Sequence, residues 1–121
     1  MGISATYAER ILDHVLGGDA MAQPTEFHIG LFADGSEVTG GGYSRAEYTG
    51  GWTVSGRSAE NIGIVDFGIP SGAWGTITQA RIYDQDGVEI GRGDVPSPLT
   101  PTVGVPVVIY TGQLTIDFIE V

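Results

Sequence analysis

The side chains that could do chemistry are few and far apart. His14 and His28 are the two histidines, and neither has a second histidine or a carboxylate at metal-ligand spacing, such as i, i+4 on a shared face. Cysteine is absent, which excludes a disulfide framework, a thiolate metal site and a cysteine nucleophile. No serine stands in the G-x-S-x-G elbow that presents a hydrolase nucleophile. Asp84-Gln85-Asp86-Gly87 opens like a calcium loop, but the twelfth position, where a bidentate acid belongs, is Val95, so the segment reads as a turn. Gly40-Gly41-Gly42 lacks the lysine and the strand-loop-helix setting of a phosphate-binding loop. Arg92-Gly93-Asp94 spells an adhesion tripeptide, and an arginine and an aspartate flanking a turn glycine account for it without a receptor. Met1-Gly2 with Thr6 fits a myristoylation pattern that has no polybasic support. What remains is aromatic: Tyr43, Tyr48, Trp52 and Trp74 have the flat faces that stack on sugar rings, with Trp52 and Trp74 the candidate ligand-stacking residues. No catalytic residue, cofactor or metal is expected, and the chain reads as a non-enzyme.

The elements that must carry these residues follow from composition and periodicity. The chain has 121 residues, of which 41% are hydrophobic, enough for one packed core. No apolar run approaches the ~20 residues that cross a bilayer, so a soluble protein is expected, and the N-terminus shows no secretory signal. Five arginines and no lysine face fifteen acidic residues, for a formal net charge of −10. Nucleic acid and anionic membrane are therefore unsuitable partners, because attraction to phosphate needs clustered cations.

Residues 1–18 hold the one predicted helix, about Tyr7 to Leu16, capped by Thr6 with Glu9 completing a capping box and stopped at Gly17-Gly18. Tyr7, Ile11, Leu12, Val15 and Leu16 share a face. That face docks on the domain itself or forms an assembly interface, for which Tyr7, Ile11, Leu12 and Val15 are the candidates. Residues 19–121 read as β. Phe27 to Phe32 alternates as a half-buried strand, Tyr43 to Tyr48 and Trp52 to Val54 are short strands, and Asn61 to Ile69 is a further apolar segment. Thr76–Tyr83 and Val88–Gly91 form a hairpin across Asp84–Gly87. Pro96, Pro98, Pro101 and Pro106 place the next stretch on an edge or between sheets, and Val107–Tyr110 with Gln113–Ile119 predicts a last hairpin. The expectation is a mainly β, single-domain antiparallel β-sandwich of about seven or eight short strands with one N-terminal α-helix.

The helix block Tyr7-Ala8-Glu9-Arg10-Ile11-Leu12-Asp13-His14, the strand Phe27-His28-Ile29-Gly30-Leu31-Phe32, the block Glu37 to Arg45 and the segment Ala73-Trp74-Gly75-Thr76-Ile77-Thr78 leading to Ile82-Tyr83-Asp84 together resemble the small bacteriophage structural proteins of the tail fibre and minor structural kind. The likeness covers nearly the whole chain. It departs in the proline-rich stretch Val95 to Pro106 and at Gln79-Ala80-Arg81. It implies a virion protein assembled in the host cytoplasm and partnered by other virion proteins, major capsid or tail, in a homo-oligomer. The acidity and the lack of a shaft repeat favour a capsid decoration or minor capsid accessory role. A tail fibre or tail-tip protein is the alternative, and a β-sandwich that binds a host glycan through Trp52 or Trp74 is the rival from another class.

Overall fold

The computed structural model describes residues 1–120; the last residue of the expected β domain, Val121, lies outside the described residues. The chain runs β1 (Gly2–Ile3), α1 (Ala5–Leu12), a wide π-type turn (Asp13–Gly17), β2 (Phe27–Ala33), β3 (Ser36–Glu37), β4 (Ala46–Tyr48), β5 (Trp52–Ser55), β6 (Ser58–Asn61), β7 (Val65–Asp66), β8 (Ile77–Tyr83), β9 (Glu89–Leu99), β10 (Val108–Ile109) and β11 (Thr115–Glu120). It is mainly β with one short N-terminal helix, as expected. The pairing gives one sheet of nine strands, in the order β3-β2-β8-β9-β1-β11-β6-β5 with β4 also on β2, and a ladder of β7 with β10. One large sheet and one small one replace the two comparable sheets of a sandwich, and the short strands outnumber those expected.

The helix begins earlier than its capping box suggests. Ser4, not Thr6, is the N-cap: its Oγ accepts from the amide of Tyr7 and donates to the carbonyl of Glu89 at 2.6 Å. Its own amide donates to Ile90 O at 2.8 Å. Tertiary anchoring to β9 thus selects the cap. The α-helical part ends at Leu12, and the turn that follows closes at Gly18, in the left-handed region at φ 82°, the residue type such a stop requires.

β1 wedges between β9, antiparallel to it, and β11, parallel to it, with Gly2 opposite both Arg92 and Asp117. This approach is close. A side chain at Gly91 would run into the Gly2 carbonyl and one at Gly93 into Met1, so the two glycines of β9 are the room in which β1 lies. The sheet also curls. β2 and β5 stand six neighbours apart in the strand order, a flat distance of roughly 29 Å at ~4.8 Å per step. Yet the rings of Phe27 and Trp52, one from each, meet edge-to-face with centroids 5.5 Å apart.

The hairpin of β8 and β9 forms as predicted, with Tyr83 opposite Glu89 and Ala80 opposite Gly93. Pro96 and Pro98 fall in the distal half of β9, past the Gly91–Arg92 pairs to β1 and where the β8 register is interrupted before Ile77 meets Leu99. Missing amide donors are tolerated there. The last predicted hairpin does not form. The turn at Thr111-Gly112 exists, with Gly112 at φ 77°, but it parts two strands that pair elsewhere, β10 with β7 and β11 with β6 and β1. Asn61 takes the bonds that would zip the hairpin. Its side chain donates to Tyr110 O at 3.0 Å and Gly63 O at 2.7 Å, and accepts from Leu114 N at 2.9 Å. The core collects Ile29, Leu31, Tyr48, Val65, Phe67, Trp74, Ile77, Ile82 and Leu114 between β2, β4, β8 and the segment that carries β7.

Candidate interaction surfaces

The outer face of β2, β8 and β9 concentrates the cations of an otherwise acidic protein. Phe32 and Tyr83 project outward, as register demands when Ile29, Leu31, Ala80 and Ile82 project inward. The Arg81 guanidinium lies 4.0 Å from the Phe32 ring centre and that of Arg45 3.7 Å from the Tyr83 ring centre, the stacking geometry of cation–π contacts. Arg45 pairs with both oxygens of Glu37 at 2.9 Å, and Tyr43 donates to Glu37 at 2.8 Å. Arg92 grips both oxygens of Glu89 at 2.8 Å. This layer covers the outer side of β2, so that Ile29 to Phe32 are buried on both faces, where alternation suggested a half-buried strand. It also locks Arg92-Gly93-Asp94 into a paired strand, a setting unlike the exposed loop that would present an adhesion tripeptide.

The bond from Arg45, outweighing the cost of partial burial and helped by Tyr43, holds the Glu37 carboxyl below its usual range. Since the folded-state value is depressed, the stability that Glu37 contributes is complete above the ordinary glutamate range and is lost as pH falls through the folded value. The urea midpoint is therefore expected to fall as pH drops below the ordinary glutamate range, and Glu37→Gln to flatten that slope. An unchanged slope in the variant would remove Glu37 from the account.

A cleft of about 310 Å³ separates α1 from the β8–β9 turn and is lined by Tyr7, Arg10, Asp13, Asp19, Asp84 and Asp86 among others. Asp84 closes its floor and is 2% exposed. One carboxylate oxygen accepts from the amides of Asp86 and Val88, both at 2.9 Å, while the other accepts from the Tyr7 hydroxyl and lies 3.7 Å from Arg10. Burial by itself would raise its pKa. The hydrogen bonds and Arg10 overcome that and hold it low, while burial and the carboxylate push the Tyr7 hydroxyl up to about 12. The two aspartates of the calcium-like motif are thus turn and anchor, and among the described residues no group of three or more potential ligands gathers round a cation position.

The candidate residues separate sharply by position. Tyr7 is 5% exposed and belongs to the domain's interior, and Ile11 is partly covered, whereas Leu12, Val15 and Leu16 are 57%, 67% and 80% exposed. The helix therefore docks through Tyr7 and leaves the rest of its apolar stripe in solvent. Trp74 is 3% exposed, with its Nε1 donating to Gly41 O at 2.8 Å and its ring against Tyr43, so it has no free face for a sugar. Trp52 is half-buried between Phe27 and Tyr48. It lines an apolar groove of about 540 Å³ with Phe27, Val54, Ala59, Ile90 and Ile116. Val54, Ala59 and Ile116 also line a second cavity of about 280 Å³ with Ile3, Arg57 and Phe118. The shared residues make these one apolar trough along the β5–β6–β11 end of the sheet. The sequence places Phe27, Trp52, Val54, Ile90 and Ile116 in strands but assigns no strand to Ile3 or Ala59, and it does not show that the curl of the sheet leaves this face open.

Residues 2–117, from β1 into β11, match the family model described as podophage GP4 fiber I protein gp80. The chain belongs to that family. Membership in the gp80 fiber I family makes it a phage structural protein located in the virion, in association with other virion components. The match spans the outer arginine layer and, Phe118 apart, the residues of the apolar trough. No curated protein matches the chain.

Proposed function

We propose that this protein is a tail-fibre component that acts without catalysis, through surfaces rather than a pocket. The observation that carries this is the match of residues 2–117 to a fiber protein family, which favours the fibre over the capsid-decoration role that acidity and shape suggest from sequence. The surfaces support a binding mode of that kind. Leu12 at the end of the helix and Val15 and Leu16 on the π-type turn that follows stand exposed, and covering each would release roughly 1.5–3 kcal/mol of hydrophobic free energy at most. Exposed stripes of this type mark contacts.

A cryo-EM map of the particle with copy number from quantitative mass spectrometry tests the placement. Density at the tail in a small number of copies is expected, and hundreds of ordered copies on the shell would overturn it. Leu12→Glu with Leu16→Glu should leave circular dichroism unchanged, because both side chains are in solvent, while incorporation drops at least tenfold. Normal incorporation would show that the helix stripe is not the contact.

A further inference from the structure

The two edges of the large sheet differ in how they end. At one stand β3 and β4, short strands that each carry a glutamate, Glu37 and Glu47. At the other stands β5, Trp52-Thr53-Val54-Ser55, with neither a charge nor a proline, the usual guards of an open edge. Its register shows which backbone groups are free. Ile62 N donates to Gly51 O at 3.1 Å, and in an antiparallel ladder that bond places Thr53 and Ser55 in the hydrogen-bonded pairs with β6. The amides and carbonyls of Trp52 and Val54 therefore point away from β6, and among the described residues no strand pairs with that edge.

The same two residues turn their side chains to the trough. Trp52 and Val54 line it beside Phe27, Ala59, Ile90 and Ile116, and Val54 is 74% exposed. The Trp52 Nε1 is buried and, among the described residues, has no acceptor, a state that folded proteins rarely leave uncompensated. An edge without backbone partners, beside an apolar trough, is what an added strand completes: its backbone extends the ladder and its alternate residues fall on the apolar face. A net charge of −10 disfavours a second copy of this acidic chain in that place and favours a segment with cationic flanks.

We propose that an extended apolar segment of a different virion protein, flanked by basic residues, pairs with the outer edge of β5 and seats alternate side chains in the trough. This contact rests on the virion reading and gives it a partner of defined chemistry.

A synthetic peptide of alternating valine and threonine with lysine at both ends, titrated into the purified full chain, should bind saturably. Hydrogen exchange read by NMR should then slow about tenfold or more at the Trp52 and Val54 amides, and the Trp52 indole proton should shift. Val54→Pro removes an outward amide but no bond to β6. It should stay folded by circular dichroism and weaken the peptide about tenfold. In the assembled particle, a photo-crosslinking amino acid in place of Ser55, which is exposed and alternates away from the trough, should join β5 to one extended apolar segment of another virion protein. A peptide that does not saturate at millimolar concentration, slowing that misses Trp52 and Val54, unchanged binding by Val54→Pro, or crosslinks only to further copies of this chain would each overturn the proposal. Saturable binding of dodecanoate in place of the peptide, with both amides still exchanging freely, would make the trough a lipid site and overturn it too. Absence of the chain from the particle would sink the virion reading and this partner with it, whereas a chain present in the particle that fails these tests would lose this contact alone.

Discussion

Asp84→Ala is expected to lower the unfolding free energy by about 3 kcal/mol. The carboxylate satisfies two turn amides and the Tyr7 hydroxyl, and it faces Arg10. Removing it strands the Tyr7 hydroxyl in an interior position and unties the β8–β9 turn from the helix. Leaving buried partners unsatisfied costs more than the net worth of the bonds themselves. Thermal denaturation should show a midpoint lower by roughly 10 °C or more. Tyr7→Phe is the graded control, because it removes one hydroxyl but leaves the turn amides bound, and should cost about 1 kcal/mol. Equal losses in the two variants would mean that the turn bonds contribute nothing.

Asn61→Ala should be comparable, at about 3 kcal/mol, for a different reason. Asn61 is 1% exposed and uses both ends of its amide, donating to Gly63 O and Tyr110 O and accepting from Leu114 N. Three stretches of chain meet on that one side chain. Asn61→Asp offers a signed test. The new carboxyl would keep the bond from Leu114 N, but its second oxygen would face two carbonyl oxygens, so the ionised form is disfavoured in the folded state and its folded pKa rises. Stability should then be greatest at acidic pH and fall as pH rises through that value. A variant equally stable across that range would refute the amide geometry.

Hydrogen exchange separates the two variants. Asp84→Ala should speed exchange first in α1 and the β8–β9 turn, whereas Asn61→Ala should do so in β6, the Thr111-Gly112 turn and β11. These regions lie on different strands and meet different parts of the core, so the two free-energy losses should be nearly additive.

Much of this protein is legible in its residues alone. Alternation in Phe27 to Phe32 located β2, because a pleated strand imposes a period of two wherever one face meets a core, and the β-branched residues of Thr76 to Tyr83 located β8. The turn Asp84 to Gly87 located the β8–β9 hairpin, since Asp84 bonds its own loop amides and Gly87 adopts φ 76°, both local preferences. The helix was legible as an amphipathic segment, and the motif order pointed to a phage structural family. Everything that depends on which strand meets which was settled by the tertiary structure. Thr111-Gly112 reads as a hairpin turn, yet pairing is a competition between partners distant in sequence, and there Asn61 and β6 take the bonds that β10 would otherwise have offered. Thr6 reads as the cap, but Ser4 is fixed by β9. Trp52 and Trp74 read alike, and only packing puts one at the wall of an open trough and the other beneath Gly41. Local sequence sets which conformations are cheap for a segment. The curl of the sheet, with β1 wedged beside two glycines, sets which faces are left for a partner, because that outcome sums contacts that no short window of sequence contains.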